Sequence, residues 1–182
     1  MTGSTDNDPV ILVDADDVQV GTAGKLDAHR RGLKHRAISA LVRNSAGELL
    51  LQRRHPAKYH SGGLWANACC SHPRPGESVA DAAHRRLQQE MGVACALKPL
   101  FTFNYRAPVS DDLIENELVH VFGGTHDGPV KPDPTEVSEW KWIRFDDLAN
   151  DLRANPEAYA IWFRKYVAAH GGLILGWLAR GR

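Results

Sequence analysis

The residues best suited to chemistry begin with two glutamates one residue apart, Glu115 and Glu117, inside a stretch from Leu113 to Phe122 that reads as a β-strand. Side chains two apart on a strand share a face and lie about 7 Å apart, so the carboxylates can converge on one cation while Asn116 points away. Charged residues usually sit outside, so the pair alone also fits a solvated strand face. The adjacent pair Cys69 and Cys70 lies in a stretch from His55 to Pro75 rich in Gly, Pro, His and Lys. A cysteine there can hold a transferable proton, bind a metal or pack as a small hydrophobe. For Cys69 packing is the expectation, and no C-x-x-C pair supports a structural zinc site. Arg86 and Glu90 are four apart in a segment of helical spacing, so they share a face.

Ser71-His-Pro-Arg-Pro-Gly-Glu77 followed by Arg85-Arg-Leu-Gln-Gln-Glu-Met-Gly-Val93 reproduces the spacing of the Nudix box, G-x5-E-x7-R-E-U-x-E-E-x-G-U with U apolar. Glu77, Arg85, Leu87, Glu90, Gly92 and Val93 agree with it. Ser71 stands where the first glycine would be, and Arg86 and Gln89 replace two glutamates. A Nudix hydrolase uses its glutamate cluster to hold divalent cations around a diphosphate and to activate water, so losing two carboxylates weakens that role. With these substitutions the sequence resembles the type I isopentenyl-diphosphate isomerases, a branch of the Nudix superfamily. Trp65-Ala-Asn-Ala-Cys-Cys-Ser-His-Pro73 is similar to that branch's cysteine motif and Glu115-Asn-Glu117 to its glutamate motif. Tyr105 stands ten residues before Glu115, and Trp162 falls in a C-terminal helix at the corresponding place. The resemblance runs from about Lys25 to Trp162.

That resemblance implies an α/β Nudix fold, a mixed β-sheet sandwiched between helices (α/β/α). It implies an enzyme that interconverts isopentenyl and dimethylallyl diphosphate through a tertiary carbocation. Cys70 would work on one face of the hydrocarbon and Glu117, assisted by the Tyr105 hydroxyl, on the other. His29, His35 and His72 would join Glu115 and Glu117 around a divalent cation, Mn²⁺, Zn²⁺ or Mg²⁺, in an octahedral arrangement; mixed nitrogen and oxygen donors select weakly among these. Lys25, Arg54, Lys58 and Arg86 would anchor the diphosphate with a Mg²⁺ near Glu90. Arg offers a bidentate phosphate grip and Lys a point charge. The resemblance, set against one bacterial member, implies an interval from His29 to His35 that is one residue shorter; both histidines still match, so the connection between them must be re-formed.

A carbocation demands a dry pocket, since water would capture it. Trp162 could lay its π face against the cation, an interaction worth about 2 kcal/mol or more when desolvated. A tryptophan on a late helix also fits ordinary core packing. Two other functions fit part of the pattern: a Nudix pyrophosphohydrolase, disfavoured by Arg86 and Gln89, and a non-catalytic metal-binding module, which has no need of Cys70 or Trp162. His55, His60, His84, His120, His126 and His170 are expected at the surface or in the core.

Several elements must position these groups. Val10 to Val13 reads as a first strand, and Ala37 to Val42 with Glu48 to Gln52 flank Asn44-Ser-Ala-Gly47 as a β-hairpin. The stretch from His55 to Pro75 has no sustained period and reads as a long functional loop. Ser78 can cap a helix in which Val79, Ala83 and Leu87 recur until Gly92 stops it. Strands are expected at Leu100 to Tyr105, Leu113 to Phe122 and Ser138 to Phe145. Helices follow at Asp146 to Arg153 and Pro156 to Ala169, before an apolar tail holding Trp177.

The 182 residues suit one domain, 9–182, behind a frayed polar tail at 1–8. With 22 Lys plus Arg against 22 Asp plus Glu, no broad field argues for nucleic acid or an anionic membrane, so any anion must be held locally. No window approaches the roughly 20 apolar residues of a membrane span, and the start lacks the features of a signal peptide. The expectation is a cytoplasmic protein with reduced thiols that acts on a small diphosphate, as a monomer or weak homodimer.

Overall fold

The computed structural model describes residues 8–180. Strand β1 (Pro9–Val13) pairs antiparallel with β2 (Gln19–Gly24), and β2 runs straight into α1 (Lys25–Arg31). Strands β3 (His35–Arg43) and β4 (Leu49–Arg54) form the expected hairpin, with Gly47 at φ 80° supplying its turn. The short strands β5 (Trp65–Asn67) and β6 (Cys69–Ser71) precede α2 (Val79–Met91). Strands β7 (Leu97–Pro108), β8 (Ile114–Thr125) and β9 (Val137–Ile143) follow, then α3 (Phe145–Ala154) and α4 (Ile161–Ala179).

The sheet is mixed. β8 pairs parallel with β3 and antiparallel with β7, while β6 pairs antiparallel with β3. β4 carries β5 and β9, both antiparallel, and single bridges join β1 to β3 and β3 to β4. Alternation along the buried strands sends side chains to two cores. Ile38, Ala40, Val42 and Cys69 meet Ala82, Ala83, Leu87 and Met91 of α2 on one face. Ala37, Leu41, Val119 and Val121 meet Leu148 of α3 and Phe163, Tyr166 and Ile174 of α4 on the other. Helices therefore cover both faces, the α/β/α layering expected. Each fully buried Leu or Phe contributes about 1.5–3 kcal/mol, so these two cores outweigh the surface ion pairs.

Helix α2 starts where Ser78 Oγ accepts the Asp81 N–H at 3.1 Å and ends at Gly92, in the left-handed region at φ 63°. A Cβ on residue 92 would also lie 2.3 Å from the Lys131 carbonyl oxygen. Gly92→Ala is therefore expected to cost about 2–3 kcal/mol, read as a lower midpoint in urea unfolding. An unchanged midpoint would contradict this account of the helix end.

Several elements depart from expectation. β2 and α1 were not anticipated: α1 has only seven residues, too few to show an apolar period. The stretch from His55 to Pro75 holds β5 and β6, of three residues each, too short for alternation to register. The helix expected from Pro156 to Ala169 is instead a 3-10 turn at Pro156–Ala158, an extended pair Tyr159-Ala160 that joins Trp65, and α4. α4 absorbs the apolar tail and passes a kink at His170, because Ile174, Trp177 and Leu178 bury themselves on the sheet. The frayed tail expected at 1–8 falls outside the described residues except for Asp8, whose carbonyl accepts the Lys25 N–H at 3.0 Å. No helix among the described residues is long and apolar enough to cross a membrane.

Candidate active site and metal centre

His35 and Glu117 lie opposite each other in the β3–β8 ladder, and Tyr105 lies opposite Glu117 in the β7–β8 ladder. Cys70 lies opposite Ser39, four residues beyond His35, so period-two geometry puts His35, Ser39, Cys70, Tyr105, Glu115 and Glu117 on one face of the sheet. This is the face covered by α4. Cys69 turns to the α2 side, where it packs as expected.

His29 arrives from α1. Gly32, at φ 60°, ends that helix and lets the chain turn into β3 within three residues. His29 Nδ1 lies 2.7 Å from the Lys25 carbonyl and His35 Nδ1 2.8 Å from the Leu33 carbonyl. Donating Nδ1–H to a carbonyl leaves the Nε2 lone pair free to face inward. Nε2 of His29, His35 and His72 lies 3.9, 3.4 and 3.1 Å from Glu117 Oε1. Two ligands at about 2.1 Å from one ion in adjacent octahedral positions stand about 3.0 Å apart, so this spacing is near that of a coordination shell. His29 Nε2 is buried with no hydrogen-bond partner among the described residues, as a ligand atom would be. The four residues His29, His35, His72 and Glu117 form a group able to hold a metal ion. Glu115 belongs to a second such group, with His29 and His60.

Electrostatics suits this use. Burial lowers His29 to about 4 and His72 to about 3, so both imidazoles are neutral at pH 7 with lone pairs available. Against the penalty of burial, the imidazoles of His35 and His72 beside it hold Glu117 well below the usual carboxylate range. Burial and the charge of Glu117 hold Glu115 well above it. The Tyr105 hydroxyl lies 2.9 Å from an oxygen of each carboxylate and ties them together.

These shifts predict acid sensitivity of the metal-free protein. His29, His60 and His72 have folded pKa values of about 4, 2 and 3, below the ordinary 6.5, so between those limits the unfolded chain binds more protons than the folded one. The imidazole contribution to stability is complete above pH 6.5 and is lost progressively as pH falls from there through about 4, 3 and 2. Chelator-treated protein should melt at progressively lower temperature from pH 7 to pH 4.5, followed by circular dichroism. A flat profile would contradict the buried placement of the three rings.

Cys70 and Glu117 both line one cavity of about 330 Å³, with Tyr105 and Trp162. Cys70 Sγ–H donates to Asn67 Oδ1 at 3.0 Å and lies 3.3 Å from Ser39 Oγ. The Asn67 amide is fixed in turn by Ser39 and the carbonyls of Ala40 and Cys69. Burial pushes the thiol up to about 12, so it stays protonated through the neutral range. Trp162, the second residue of α4, is 5% exposed and lines the cavity, so it serves both core and pocket.

Lys25, Arg54, Lys58 and Arg86 line the same cavity. Arg86 Nη2 lies 2.7 Å from Glu90 Oε1 and 3.7 Å from Glu136, and Lys58 also pairs with Glu136. Gln52 donates to the other Glu90 oxygen at 3.0 Å. The Arg54 guanidinium lies 5.2 Å from the centre of the Trp162 ring. Sequence reasoning missed Glu136, Ser39, Asn67 and His60. His60, expected at the surface or in the core, is buried, and it faces Glu115 and Trp162 in the cavity. Nothing in its spacing pointed there.

The NUDIX domain model matches residues 33–165. The chain is 56% identical over 155 residues to isopentenyl-diphosphate Delta-isomerase 2 of Aromatoleum aromaticum, covering 85% of this chain and 82% of that protein. It is 49% identical over 162 residues to isopentenyl-diphosphate Delta-isomerase of Burkholderia multivorans, covering 89% and 92%. Among solved structures, a Deinococcus radiodurans protein superposes with TM-score 0.74 at 22% identity, over 89% of this chain and 98% of that one. A MutT protein from Methanosarcina mazei superposes with TM-score 0.62 at 22% identity, over 75% and 91%, a likeness of fold.

Proposed function

The chain belongs to the NUDIX family and, within it, to the isopentenyl-diphosphate Delta-isomerases, and we propose that it interconverts isopentenyl and dimethylallyl diphosphate by moving one double bond. The observation that carries the mechanism is that a protonated thiol, Cys70, and an ionised carboxylate, Glu117, line one cavity together with Trp162. The reaction adds a proton to the terminal alkene carbon, which leaves a tertiary cation, and removes one from the carbon next to the diphosphate-bearing carbon. One proton enters and one leaves, so a pair that starts with one proton between its members is suited to it. The rearrangement is reversible, so each group donates in one direction and accepts in the other.

Trp162, which lines the cavity, would exclude water and offer its π face to the cationic centre. Tyr105 O–H orients the Glu117 carboxylate. Lys25, Arg54, Lys58 and Arg86 bind the diphosphate, and Arg86 at the place of a hydrolase glutamate turns a metal-binding position into an anion-binding one. Glu90 already accepts from Arg86 and Gln52, so a Mg²⁺ beside it would be held chiefly by the diphosphate oxygens that arrive with the substrate. His29, His35, His72, Glu115 and Glu117 would hold a second divalent cation, which when bound supplies positive charge beside Glu117 and fixes its orientation.

Purified protein incubated with isopentenyl diphosphate and Mg²⁺ should yield dimethylallyl diphosphate, separated by ion-pair chromatography, with no release of inorganic phosphate. Phosphate release without the allylic product would support a pyrophosphohydrolase instead.

A further inference from the structure

The loop that follows β4 brings a fourth imidazole to the cation site. It is wound under constraint: Ser61 sits at φ 52°, Gly63 at φ 77°, and a Cβ on residue 62 would lie 2.4 Å from the Pro56 carbonyl. A serine in the left-handed region is a local cost that the surrounding structure must outweigh, and such residues gather at functional sites. Here the result is to turn His60 inward, 8% exposed. Its Nδ1 lies 3.2 Å from Ser61 Oγ, which leaves Nε2 to face Glu115 Oε1 at 3.5 Å.

Donor atoms of His29, His60 and Glu115 lie within 4.8 Å of one another, as do those of His29, His35, His72 and Glu117. The two groups share His29, and their carboxylates share the Tyr105 hydroxyl. We propose that His60 is a sixth protein ligand, so that one divalent cation is held by four imidazoles and two carboxylates in a shell closed to water and to substrate. This rests on the reading of His29, His35, His72, Glu115 and Glu117 as its other ligands. A cation closed in this way orients side chains and adds charge without activating water. Four nitrogen donors favour Zn²⁺, Co²⁺ or Mn²⁺ over Mg²⁺. The His60 ring also stands edge-on to Trp162 at 6.0 Å, so fixing the imidazole fixes the tryptophan.

The test uses the whole protein, stripped with a chelator and reloaded with Co²⁺. Proton NMR in H₂O of the Co²⁺ form shows exchangeable imidazole N–H signals shifted by the paramagnetic ion, one for each ligating ring with a protected N–H. H60A should lose one such signal and bind Co²⁺ about 10–100-fold more weakly. H60Q, with an amide oxygen in place of the nitrogen, should recover part of the affinity. H60F keeps a ring without a donor and should behave like H60A, which separates ligation from packing if the alanine variant is unstable. An unchanged signal set with affinity within about twofold of the parent would overturn the assignment of His60. Failure of the parent itself to bind Co²⁺, with H29A indistinguishable from it, would instead overturn the five-residue site, and isomerase turnover measured alongside would still report on the activity.

Discussion

Replacing Cys70 with alanine is expected to lower isomerase turnover by on the order of 1,000-fold, equivalent to about 4 kcal/mol of barrier, while the divalent cation and the fold remain. Among the described residues no hydrogen bond joins the thiol to a candidate ligand atom. Its hydrogen-bond partners are Asn67 and Ser39, both also held by bonds of their own. Removing Sγ therefore deletes a proton carrier and leaves the His/Glu cluster intact. Turnover, metal content by elemental analysis and the melting temperature should be read on the same sample. Loss of metal together with turnover would mean that Cys70 belongs to the metal centre, and retained turnover would remove it from the chemistry.

Glu117→Gln should fail on both counts, losing turnover by about 1,000-fold or more and most of its metal with it. Glu117 Oε1 is the atom that the Nε2 atoms of His29, His35 and His72 approach, and its other oxygen meets Tyr105. An amide there carries no charge to hold a cation and cannot accept a proton as the carboxylate does. The contrast between the two variants is informative because both residues line one cavity. Cys70→Ala separates proton transfer from metal binding, and Glu117→Gln shows that on the other side of the cavity the two are joined. A Glu117→Gln protein that kept its cation at parental affinity would remove Glu117 from the ligand set.

Much of this site was legible because strand and helix periods are simple. The one-residue gap between Glu115 and Glu117 implied a shared face, and the i, i+4 spacing of Arg86 and Glu90 implied a shared helix side; both hold. Ser78 and Gly92 marked the ends of α2 through cap chemistry, which depends on a few adjacent residues. What escaped depends on long-range packing or on segments too short for a pattern. β5 and β6 exist because β4 and β3 offer them partners, and three residues cannot show an alternation. The extent of α4 was hidden by Gly171 and Gly172, which usually end helices. Burial of Trp177, with Arg43 stacked on its ring and bonded to the Leu178 carbonyl, keeps the last turns formed. His60 was invisible because what aims it inward is the winding of its loop around Pro56 and Ser61.

The choice between isomerisation and hydrolysis turned on charge. A glutamate at position 86 would add a carboxylate beside Glu90 and Glu136; the arginine pairs with both. That substitution removes one place where a divalent cation could activate water and supplies a donor to phosphate oxygen. One cavity lined by Lys25, Arg54, Lys58 and Arg86 and also by Trp162, Cys70 and Glu117 suits the proposed substrate, a small diphosphate with a short hydrocarbon.

Conversion of isopentenyl diphosphate in D₂O, followed by proton and deuterium NMR, tests the central claim most directly. Proton transfer by exchangeable groups on Cys70 and Glu117 predicts dimethylallyl diphosphate carrying deuterium in a methyl group, with the diphosphate intact. Product free of deuterium, unchanged substrate, or a dephosphorylated alcohol would contradict it.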